Sequence, residues 1–458
     1  MADRKKPLEN PPVKKNPAIF ILSLGCPRNL VDSEVLTGEL KQKGFPILSE
    51  LKPNCVAIVN TCAFTEEAKE ESINVIMELG ELKKKGRLAR IIVAGCLSQR
   101  YGKRLMEEAK ECDAVFGSSS FREIPKYMSR VLSGEKVSVI DKVPSFLYDH
   151  KMPRSTITPR HSVYVKIQEG CRNFCSYCII PKLKGPYRSR SPESVLSEVG
   201  ALKKAGAKEI NLIGQDTTLY GIDRYKRPQL AGLIKKIAPI MRSGWIRLLY
   251  THPAHYTDEL IDVVGKEPAV CKYLDLPIQH ISDKILKSME RHLKKKDILS
   301  LIGKLRKKIP NLAIRTTVMV GFPGEDDRDF KELEEFIKEA KFERLGAFIY
   351  SREEGTKAFD FSGQVPDREK NQRFKRIMEA QQKVSAEKNQ NYLGKTMRVL
   401  IDEVDCSVPG QYLARAEYDA PEVDGVVYVR SKKPLKPGDF VNVKIEDVLE
   451  YDLVGEHR

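Results

Sequence analysis

Residues 161–181 read HSVYVKIQEGCRNFCSYCIIP, and this stretch decides the fold of the chain. An apolar strand pattern runs directly into a polar loop that carries a CxxxCxxC motif, formed by Cys171, Cys175 and Cys178. Three thiolates at such short spacing can ligate three irons of a 4Fe–4S cluster. The sequence has no fourth cysteine nearby, so one iron would stay open to bind a small molecule. We therefore predict a reactive iron–sulfur site at the end of a strand.

Two simpler interpretations of the motif are a zinc site and a set of buried thiols. Zinc usually needs a second pair of Cys or His ligands at knuckle spacing, and the nearest histidine, His161, lies before the strand. Buried core cysteines would not cluster on a polar loop with Arg172, Asn173 and Ser176. The spacing therefore favours an iron–sulfur cluster.

Working outward from the loop, residues 161–388 alternate strand patterns with helical patterns. The strand patterns are HSVYVKI, KEINLIG, IRLLYT, CKYLDLP, LAIRTTVMVG and RLGAFIY. This alternation predicts a complete or partial parallel β/α barrel, with its site at the carboxyl ends of the strands. The cysteine loop follows the first of these strands, so it would lie at that face.

The segment before the barrel, residues 18–145, carries a second set of three cysteines. The strand patterns AIFILSLGC, CVAIVNTC and RIIVAGC end at Cys26, Cys62 and Cys96, with helical patterns between them. The arrangement predicts an α/β fold with a doubly wound parallel sheet, in which ligands collect at the carboxyl edge. Ordinary buried cysteines are the alternative, since Cys is often buried. Three strand-end cysteines favour a second, auxiliary cluster.

The remaining segments are a tail, a linker and a small barrel. Residues 1–17 (MADRKKPLENPPVKKNP) predict a disordered basic tail without the apolar region of a secretory signal. Residues 146–160 predict a linker. Residues 389–458 contain short strand patterns separated by turns such as SVPGQ and LKPGD, typical of a small antiparallel β-barrel.

Composition limits the class of protein. A length of 458 residues suggests about three domains. The sequence has no apolar run that could span a bilayer, so no membrane association is expected. Ten cysteines without an export signal indicate metal or catalytic use in a reducing compartment, hence the cytoplasm.

The net charge of +16 is unevenly distributed along the chain. Residues 391–458 hold nine Lys/Arg and thirteen Asp/Glu, a net −4, so the remaining residues carry +20. A small barrel of this kind can recognise RNA or protein. Its acidic surplus repels phosphates and favours a basic protein partner.

Taken together, these pieces make the chain resemble the radical S-adenosylmethionine (SAM) methylthiotransferases over nearly its whole length. That family joins a three-cysteine N-terminal domain, a radical SAM barrel and a C-terminal TRAM barrel. The resemblance implies that Cys26, Cys62 and Cys96 hold an auxiliary 4Fe–4S cluster. It also implies that the three loop cysteines hold the cluster that binds and cleaves SAM.

Two branches of the family differ in substrate. The segments SLGCPRNLVDSE, LKGPYRSR and YDLVGE resemble the RimO type, whereas the tRNA-modifying MiaB type shows a GCQMN-like turn. The RimO type methylthiolates the β-carbon of an aspartate in small-subunit ribosomal protein twelve. The MiaB type methylthiolates an isopentenylated adenosine beside the anticodon. Residues 151–190, with nine Lys/Arg against one Glu, could meet tRNA or ribosomal RNA, so the MiaB type stays as the alternative.

The resemblance also implies further partners and SAM-contacting residues. The glycine-containing and polar turns INLIGQD and TTVMVGFPGE lie at the same barrel edge as the cysteine loop. By resemblance we predict SAM contacts from Tyr177, Gln215, Arg315 and Gly321. An electron donor such as flavodoxin or ferredoxin is implied as well. A competing hypothesis is a non-catalytic iron–sulfur protein that binds RNA through the small barrel, and it predicts no SAM cleavage.

Overall fold

The computed structural model describes residues 16–458, which form two compact units. The first unit runs to Ile157 and includes Glu169–Arg172 and Ile179–Arg188. The second comprises Thr158–Gln168, Asn173–Cys178 and Ser189–Arg458. Apart from Asn16 and Pro17, the predicted basic tail of residues 1–17 lies outside the described residues.

The first unit is built on a parallel sheet. Its elements are β1 (Ile19–Ser23), α1 (Pro27–Gln42), β2 (Ile47–Leu48), β3 (Cys55–Thr61), α2 (Glu66–Lys84), β4 (Leu88–Gly95), α3 (Cys96–Glu108), β5 (Ala114–Phe116), α4 (Ile124–Leu132) and β6 (Val137–Val139). The strand order is β2-β1-β3-β4-β5-β6, and all neighbours are parallel.

Apolar side chains cover both faces of this sheet. Strand β3 is buried along its whole length and contributes alternate residues to two separate cores, Ala57 and Val59 to one and Val56 and Ile58 to the other. A strand buried on both faces needs helices on both sides. The predicted doubly wound parallel sheet is therefore confirmed.

The next elements along the chain are β7 (Ser162–Lys166), β8 (Gln168–Glu169), α5 (Ile180–Lys184) and β9 (Arg188–Ser189). The second unit continues with α6 (Pro192–Lys204), β10 (Glu209–Ile213), α7 (Ile222–Tyr225), α8 (Leu230–Ile237), β11 (Trp245–Leu248), α9 (Asp258–Lys266), β12 (Val270–Asp275), α10 (Asp283–Ser288), α11 (Lys295–Lys308), β13 (Ala313–Val320), α12 (Asp327–Ala340), β14 (Arg344–Ile349) and α13 (Asp367–Gln390).

Six parallel strands of this unit form one open sheet in the order β14-β13-β12-β11-β10-β7. They correspond to the six strand patterns in the sequence. Among the described strands β7 and β14 form the two edges, so the barrel is partial. The predicted partial β/α barrel is confirmed.

The last five strands close into a barrel: β15 (Thr396–Val404), β16 (Gln411–Ala416), β17 (Val427–Arg430), β18 (Phe440–Val448) and β19 (Leu453–His457). Four of its strand pairs are antiparallel, as predicted, but β17 pairs with β19 in parallel. The reason is geometric, since strands that alternate in direction around an odd-numbered ring must leave one parallel pair. The barrel is thus closed and mostly antiparallel.

The closed barrel packs against the amino ends of the sheet strands in the same unit. Glu209, the first residue of β10, accepts hydrogen bonds from Arg415 of the barrel at 2.8 Å and from Arg247 of β11 at 2.9 Å. Arg344, which begins β14, donates to Asp419 at 2.6 Å. Carboxylates of the barrel are therefore used to hold it against the sheet.

Among residues 16–458, no helix is long and apolar enough to span a membrane.

Candidate functional site

The three N-terminal cysteines lie at the carboxyl edge of the first sheet. Cys26 caps the start of α1, Cys62 directly follows β3, and Cys96 is the first residue of α3. Two of the three thiols therefore sit at helix amino termini, where the helix dipole favours a negative charge. The sequence prediction that these residues converge on one edge matches this placement.

The three thiols act on one another's ionisation. Burial and the Cys26 thiolate raise the pKa of Cys62. Burial raises the pKa of Cys96 to about 12, and Cys62 and Cys26 contribute to the rise. Burial also opposes ionisation of Cys26, but Arg28 and the Asn29 backbone bring its pKa below its usual value. Such mutual effects require the three sulfurs to lie near one another.

Gly25 and Asn29 lie close to these thiols. Gly25 has a φ of +82°, and a Cβ placed there would lie 2.8 Å from Cys62 Sγ. The buried Asn29 carboxamide lies with its Oδ1 4.0 Å from Cys96 Sγ, and its Nδ2 donates to Thr61 O at 2.9 Å. All ten cysteines lie within the described residues, and none of them forms a disulfide. Three closely surrounded thiols at one edge of a sheet suit a cluster that needs three thiolates.

The second cysteine set lies on the loop after β7 and β8. In the second unit, the Ser176 hydroxyl between Cys175 and Cys178 donates to Ser288 O at 2.7 Å, and the Cys178 N–H donates to Cys175 O at 3.0 Å. Asn173 Nδ2 donates to Asp216 Oδ2 at 2.8 Å. These bonds fix the loop to the carboxyl edge of the sheet.

Arg291 lies beside this loop and was missed by sequence analysis. Its Nη1 lies 3.9 Å from Cys175 Sγ and 3.5 Å from Tyr177 Oη, and the residue is only 4% exposed. Because Arg291 follows the short helix α10 instead of ending a strand, no sequence pattern marked it. Its guanidinium therefore lies in contact with a cysteine of the loop.

A buried amide also lies at the carboxyl edge. Gln168 is 0% exposed, and neither its Oε1 nor its Nε2 has a hydrogen-bond partner among the described residues. It packs against Gly214, where an added Cβ would lie 2.4 Å from Gln168 Nε2. Leaving a buried amide unpaired is costly, so this edge fits a polar ligand. Gln215, predicted to contact SAM, follows Gly214 directly.

Asp216, His252 and His255 form a compact polar group at the same edge, with ligand atoms within 4.8 Å of one another. Asp216 Oδ2 lies 2.8 Å from His255 Nδ1. His252 Nδ1 accepts the Ala254 N–H at 3.2 Å, so the proton of its neutral ring sits on Nε2. That nitrogen then has no lone pair for a metal, and the group instead offers an N–H donor.

The surroundings lower the pKa values of both His252 and Asp216. Burial and the nearby Arg291 lower the pKa of His252 well below its usual value, which keeps the ring neutral. Burial opposes ionisation of Asp216, but its hydrogen bond with His255 contributes to lowering its pKa to about 2. The edge thus combines a fixed carboxylate with a neutral donor.

The other predicted SAM contacts separate into two places. Gly321 follows β13 at the carboxyl edge, and its N–H donates to Glu325 Oε2 at 2.9 Å. Arg315 lies third in β13, toward the amino edge, where its Nη1 donates to Asp424 Oδ1 of the closed barrel at 2.5 Å. The structure therefore brings Tyr177 near Arg291 but directs Arg315 toward the barrel.

Known families match three parts of the chain. The Radical SAM superfamily matches residues 165–337, the uncharacterized protein family UPF0004 matches residues 18–117, and the TRAM domain matches residues 393–457. One 4Fe–4S cluster and SAM are the cofactors that the Radical SAM match implies.

Solved structures support the fold. The radical SAM methyltransferase TsrM from Kitasatospora setae, solved with cobalamin and a [4Fe-4S] cluster bound, aligns with a TM-score of 0.52 at 15% identity, covering 73% of this chain and 75% of TsrM. The cobalamin-dependent SAM radical enzyme OxsB aligns with a TM-score of 0.53 at 11% identity, covering 80% of this chain and 56% of OxsB. At such identities the likeness concerns the fold alone.

Curated relatives match over almost the whole chain. A protein of Desulforamulus reducens named ribosomal protein uS12 methylthiotransferase RimO is 46% identical, covering 96% of this chain and 99% of the relative. Proteins of the same name from Caldanaerobacter subterraneus subsp. tengcongensis and Clostridioides difficile are 48% and 45% identical, each covering 96% of this chain and 99% and 98% of the relative. The chain therefore belongs to the RimO family of ribosomal protein uS12 methylthiotransferases.

Proposed function

We propose that this chain is a radical SAM methylthiotransferase that adds a methylthio group to the β-carbon of an aspartate in ribosomal protein uS12. The observation that carries the proposal is the presence of two sets of three cysteines outside any disulfide, one at the edge of each parallel sheet. Relatives named uS12 methylthiotransferase, at 45–48% identity over nearly the full length, support the same conclusion.

Each cysteine set is proposed to hold one 4Fe–4S cluster. Cys171, Cys175 and Cys178 would hold the cluster that binds SAM, and the N-terminal three would hold the auxiliary cluster. When bound, these groups supply the electron transfer, radical formation and sulfur donation that side chains cannot provide.

The chain's own residues hold and orient the reactants. The Arg291 guanidinium would hold the Cys175 side chain in position, and Tyr177 lies within reach of the same guanidinium. Gln168, the first residue of β8, and Gln215, on the loop after β10, are proposed to bind polar groups of SAM. Gly321 stays a candidate at that edge. Arg315 pairs with Asp424, so we assign it no contact with SAM.

Asp216 and His252 are proposed to position the cysteine loop and the reactants through hydrogen bonds. Neither residue is proposed to transfer a proton. The Asp216 carboxylate accepts the Asn173 amide and so fixes the cysteine loop. The neutral His252 ring donates through Nε2 to an acceptor on SAM or the substrate, because its Nδ1 is already an acceptor. Both residues are buried, which keeps water from this edge.

Three partners follow from the proposal. The substrate is a basic ribosomal protein, for which the exposed face of the closed barrel is the proposed recognition surface. A low-potential donor such as flavodoxin or ferredoxin would supply electrons. The basic stretch 151–190 is proposed to contact ribosomal RNA, and a ribosomal substrate places the reaction in the cytoplasm.

The test is an anaerobic assay of the cluster-reconstituted full chain with SAM and a reductant. Purified uS12 and hypomodified tRNA are offered in parallel, and both are analysed by mass spectrometry. We expect a methylthio gain on one aspartate of uS12 and none on the tRNA. A gain on tRNA alone would assign the chain the activity of the MiaB type and overturn the proposal.

Two matched variants separate the roles of the cysteine sets. Cys175→Ala is expected to abolish formation of 5′-deoxyadenosine from SAM. Cys62→Ala is expected to keep that reaction but lose the methylthio gain, with about four fewer irons per chain. If Cys62→Ala still modified uS12 at the full rate, the auxiliary cluster would have no part in the reaction.

A further inference from the structure

A buried lysine lies at the auxiliary thiols. Lys184, the last residue of α5, is 4% exposed, and its Nζ lies 3.3 Å from Asp32 Oδ2, which is 3% exposed. Lysine is almost never buried to this extent unless it is paired. The pair lies in the first unit, and Asp32 is in α1, the helix that Cys26 caps.

The helix that ends at Lys184 packs beside the auxiliary thiols, since α5 contacts α3, which begins at Cys96, and Leu183 lies in the same buried cluster as Cys96. Lysine is ordinarily protonated at neutral pH. The Asp32 carboxylate at 3.3 Å compensates the burial of the ammonium and so keeps it charged. A permanent cation therefore lies among groups that become negative when a cluster is bound.

The effect of Lys184 on the reduction of a nearby cluster depends on the sign of its charge. One-electron reduction takes an electron from an external low-potential reductant and lowers the charge of a 4Fe–4S core from two to one, while its three thiolates stay unchanged and no proton moves. The reduced site is thus more negative by one electron. A buried cation stabilises that extra charge more strongly than a cation in water, and net charge is a main determinant of cluster potential.

We propose that Lys184 is a positioning residue that raises the reduction potential of the auxiliary cluster, and that Asp32 moderates this effect while it holds the ammonium in place. The inference rests on the proposed function, because it requires a cluster on Cys26, Cys62 and Cys96. The charges of the Lys184–Asp32 pair then set the reduction potential of the cluster, in addition to the contribution of the pair to packing.

The alternative is an ion pair that only contributes to the fold. Buried pairs are weak stabilisers, but loss of one partner costs several kcal/mol. A purely structural pair predicts that both single variants lose stability while the potential of the retained cluster stays the same. The proposal instead predicts shifts of opposite sign, which a loss of stability cannot produce.

The experiment uses the full chain with Cys171→Ala, Cys175→Ala and Cys178→Ala, so that only the auxiliary cluster remains. An anaerobic redox titration with dithionite, followed by electron paramagnetic resonance, gives its midpoint potential. We expect Lys184→Met to shift the midpoint to more negative values and Asp32→Asn to shift it to more positive values. Lys184→Arg keeps the charge and is expected to stay near the parent value.

Iron content distinguishes a failure of the proposed auxiliary cluster from a failure of the proposed role of Lys184. About four irons in the three-alanine parent establish the auxiliary cluster. Fewer than about one would overturn the proposed cluster, and the role of Lys184 with it. If Lys184→Met loses its iron, the sign of the Asp32→Asn shift decides. Unchanged potentials in the iron-loaded variants, or an equal shift in Lys184→Arg and Lys184→Met, would overturn the role of Lys184 alone.

Discussion

Gly25 controls how closely the chain can approach the Cys62 thiol. Its φ of +82° is unfavourable for residues with a side chain, and an added Cβ would lie 2.6 Å from Cys62 Cβ. Two different costs therefore meet at one residue, the backbone strain of a positive φ and a direct steric overlap. The second cost bears on the thiol geometry.

Gly25→Ala is expected to reduce iron at the auxiliary site, because Cys62 must move to make room for the methyl group. The measurement is iron per chain after anaerobic reconstitution, with a loss of up to about four irons expected. Gly86→Ala is the matched control, since Gly86 also has a positive φ (+69°) but no atom within 4 Å of the added Cβ. The positive φ alone should cost each variant about 1–2 kcal/mol of stability, so an equal iron content in both would contradict the steric argument.

Residue type explains which site residues could be predicted from the sequence. Cysteine is rare and its spacing is informative, so both three-cysteine sets could be proposed as candidate ligands from the sequence. Lys184 and Arg291 are two of 79 Lys/Arg residues, and nothing in the sequence separates them from solvated charges. Only the fold shows that both are buried beside cysteines.

Helix α12 shows how an element boundary supports the carboxyl edge of the sheet. Asp326 caps it by accepting the N–H groups of Arg328 at 2.9 Å and Asp329 at 3.0 Å, and Asp329 in turn accepts the Asp326 N–H. This capping box directly follows Glu325, which holds the N–H of Gly321. The turn at Gly321 and the start of α12 are therefore held by two consecutive residues, Glu325 and Asp326.

Asp326→Ala is expected to loosen the first turn of α12, because two amide donors lose their acceptor. The loss of such a cap costs about 1 kcal/mol, which corresponds to about fivefold faster amide exchange. Hydrogen-exchange mass spectrometry of the peptide containing residues 326–330 measures this change. Asp326→Asn keeps the acceptor and removes only the charge that meets Lys284, so exchange as fast as in the alanine variant would contradict the capping role.

Element length decides what the sequence could predict at this scale. The six strands of the second sheet have four to eight residues and clear apolar patterns. Strands β2, β8 and β9 have two residues each, too few to form a period. The parallel contact between β17 and β19 depends on how many strands close the barrel, which is a property of the whole barrel and not of either strand.

At the scale of the molecule, the acidic surplus of the closed barrel has an internal use. Asp419 pairs with Arg344 and Asp424 with Arg315, and both arginines lie outside residues 391–458. The net −4 of residues 391–458 predicted an external basic partner, but part of that charge is used within the chain. A charge sum could not predict this, because it does not tell which face of the barrel carries each carboxylate.

Glu209→Gln is expected to weaken the association of the barrel with the sheet. Glu209 is 0% exposed and accepts from Arg415, Arg247 and Ser162. An amide in its place would leave the buried Arg247 guanidinium without its anion, and Arg415 would keep only Asp402, at a cost of about 3–5 kcal/mol. Denaturant unfolding at neutral pH measures this loss, and Glu446→Gln, at the exposed pair with Arg430, serves as the control with little change.

The same residue gives a pH dependence. Burial opposes ionisation of Glu209, but Arg415 and Arg247 lower its pKa from 4.5 to about 2. Its carboxylate therefore contributes about 3 kcal/mol that is fully present above pH 4.5 and is lost as the pH falls toward 2. The difference in stability between the parent chain and Glu209→Gln should shrink over that interval, and a difference independent of pH would contradict the assignment.

The ion pairs that hold the barrel lie toward the amino ends of the sheet strands, and the cysteine loop is fixed at the carboxyl edge of the same sheet. The contacts that hold the barrel and the candidate site therefore occupy opposite ends of strands of five to eight residues, such as β10 and β13. Evolution can consequently adjust heat tolerance through the arginine–carboxylate pairs without disturbing the chemistry. In a lineage that adapts to a new growth temperature, substitutions at these ion pairs can change the stability of the protein at a distance from the reaction that must be preserved.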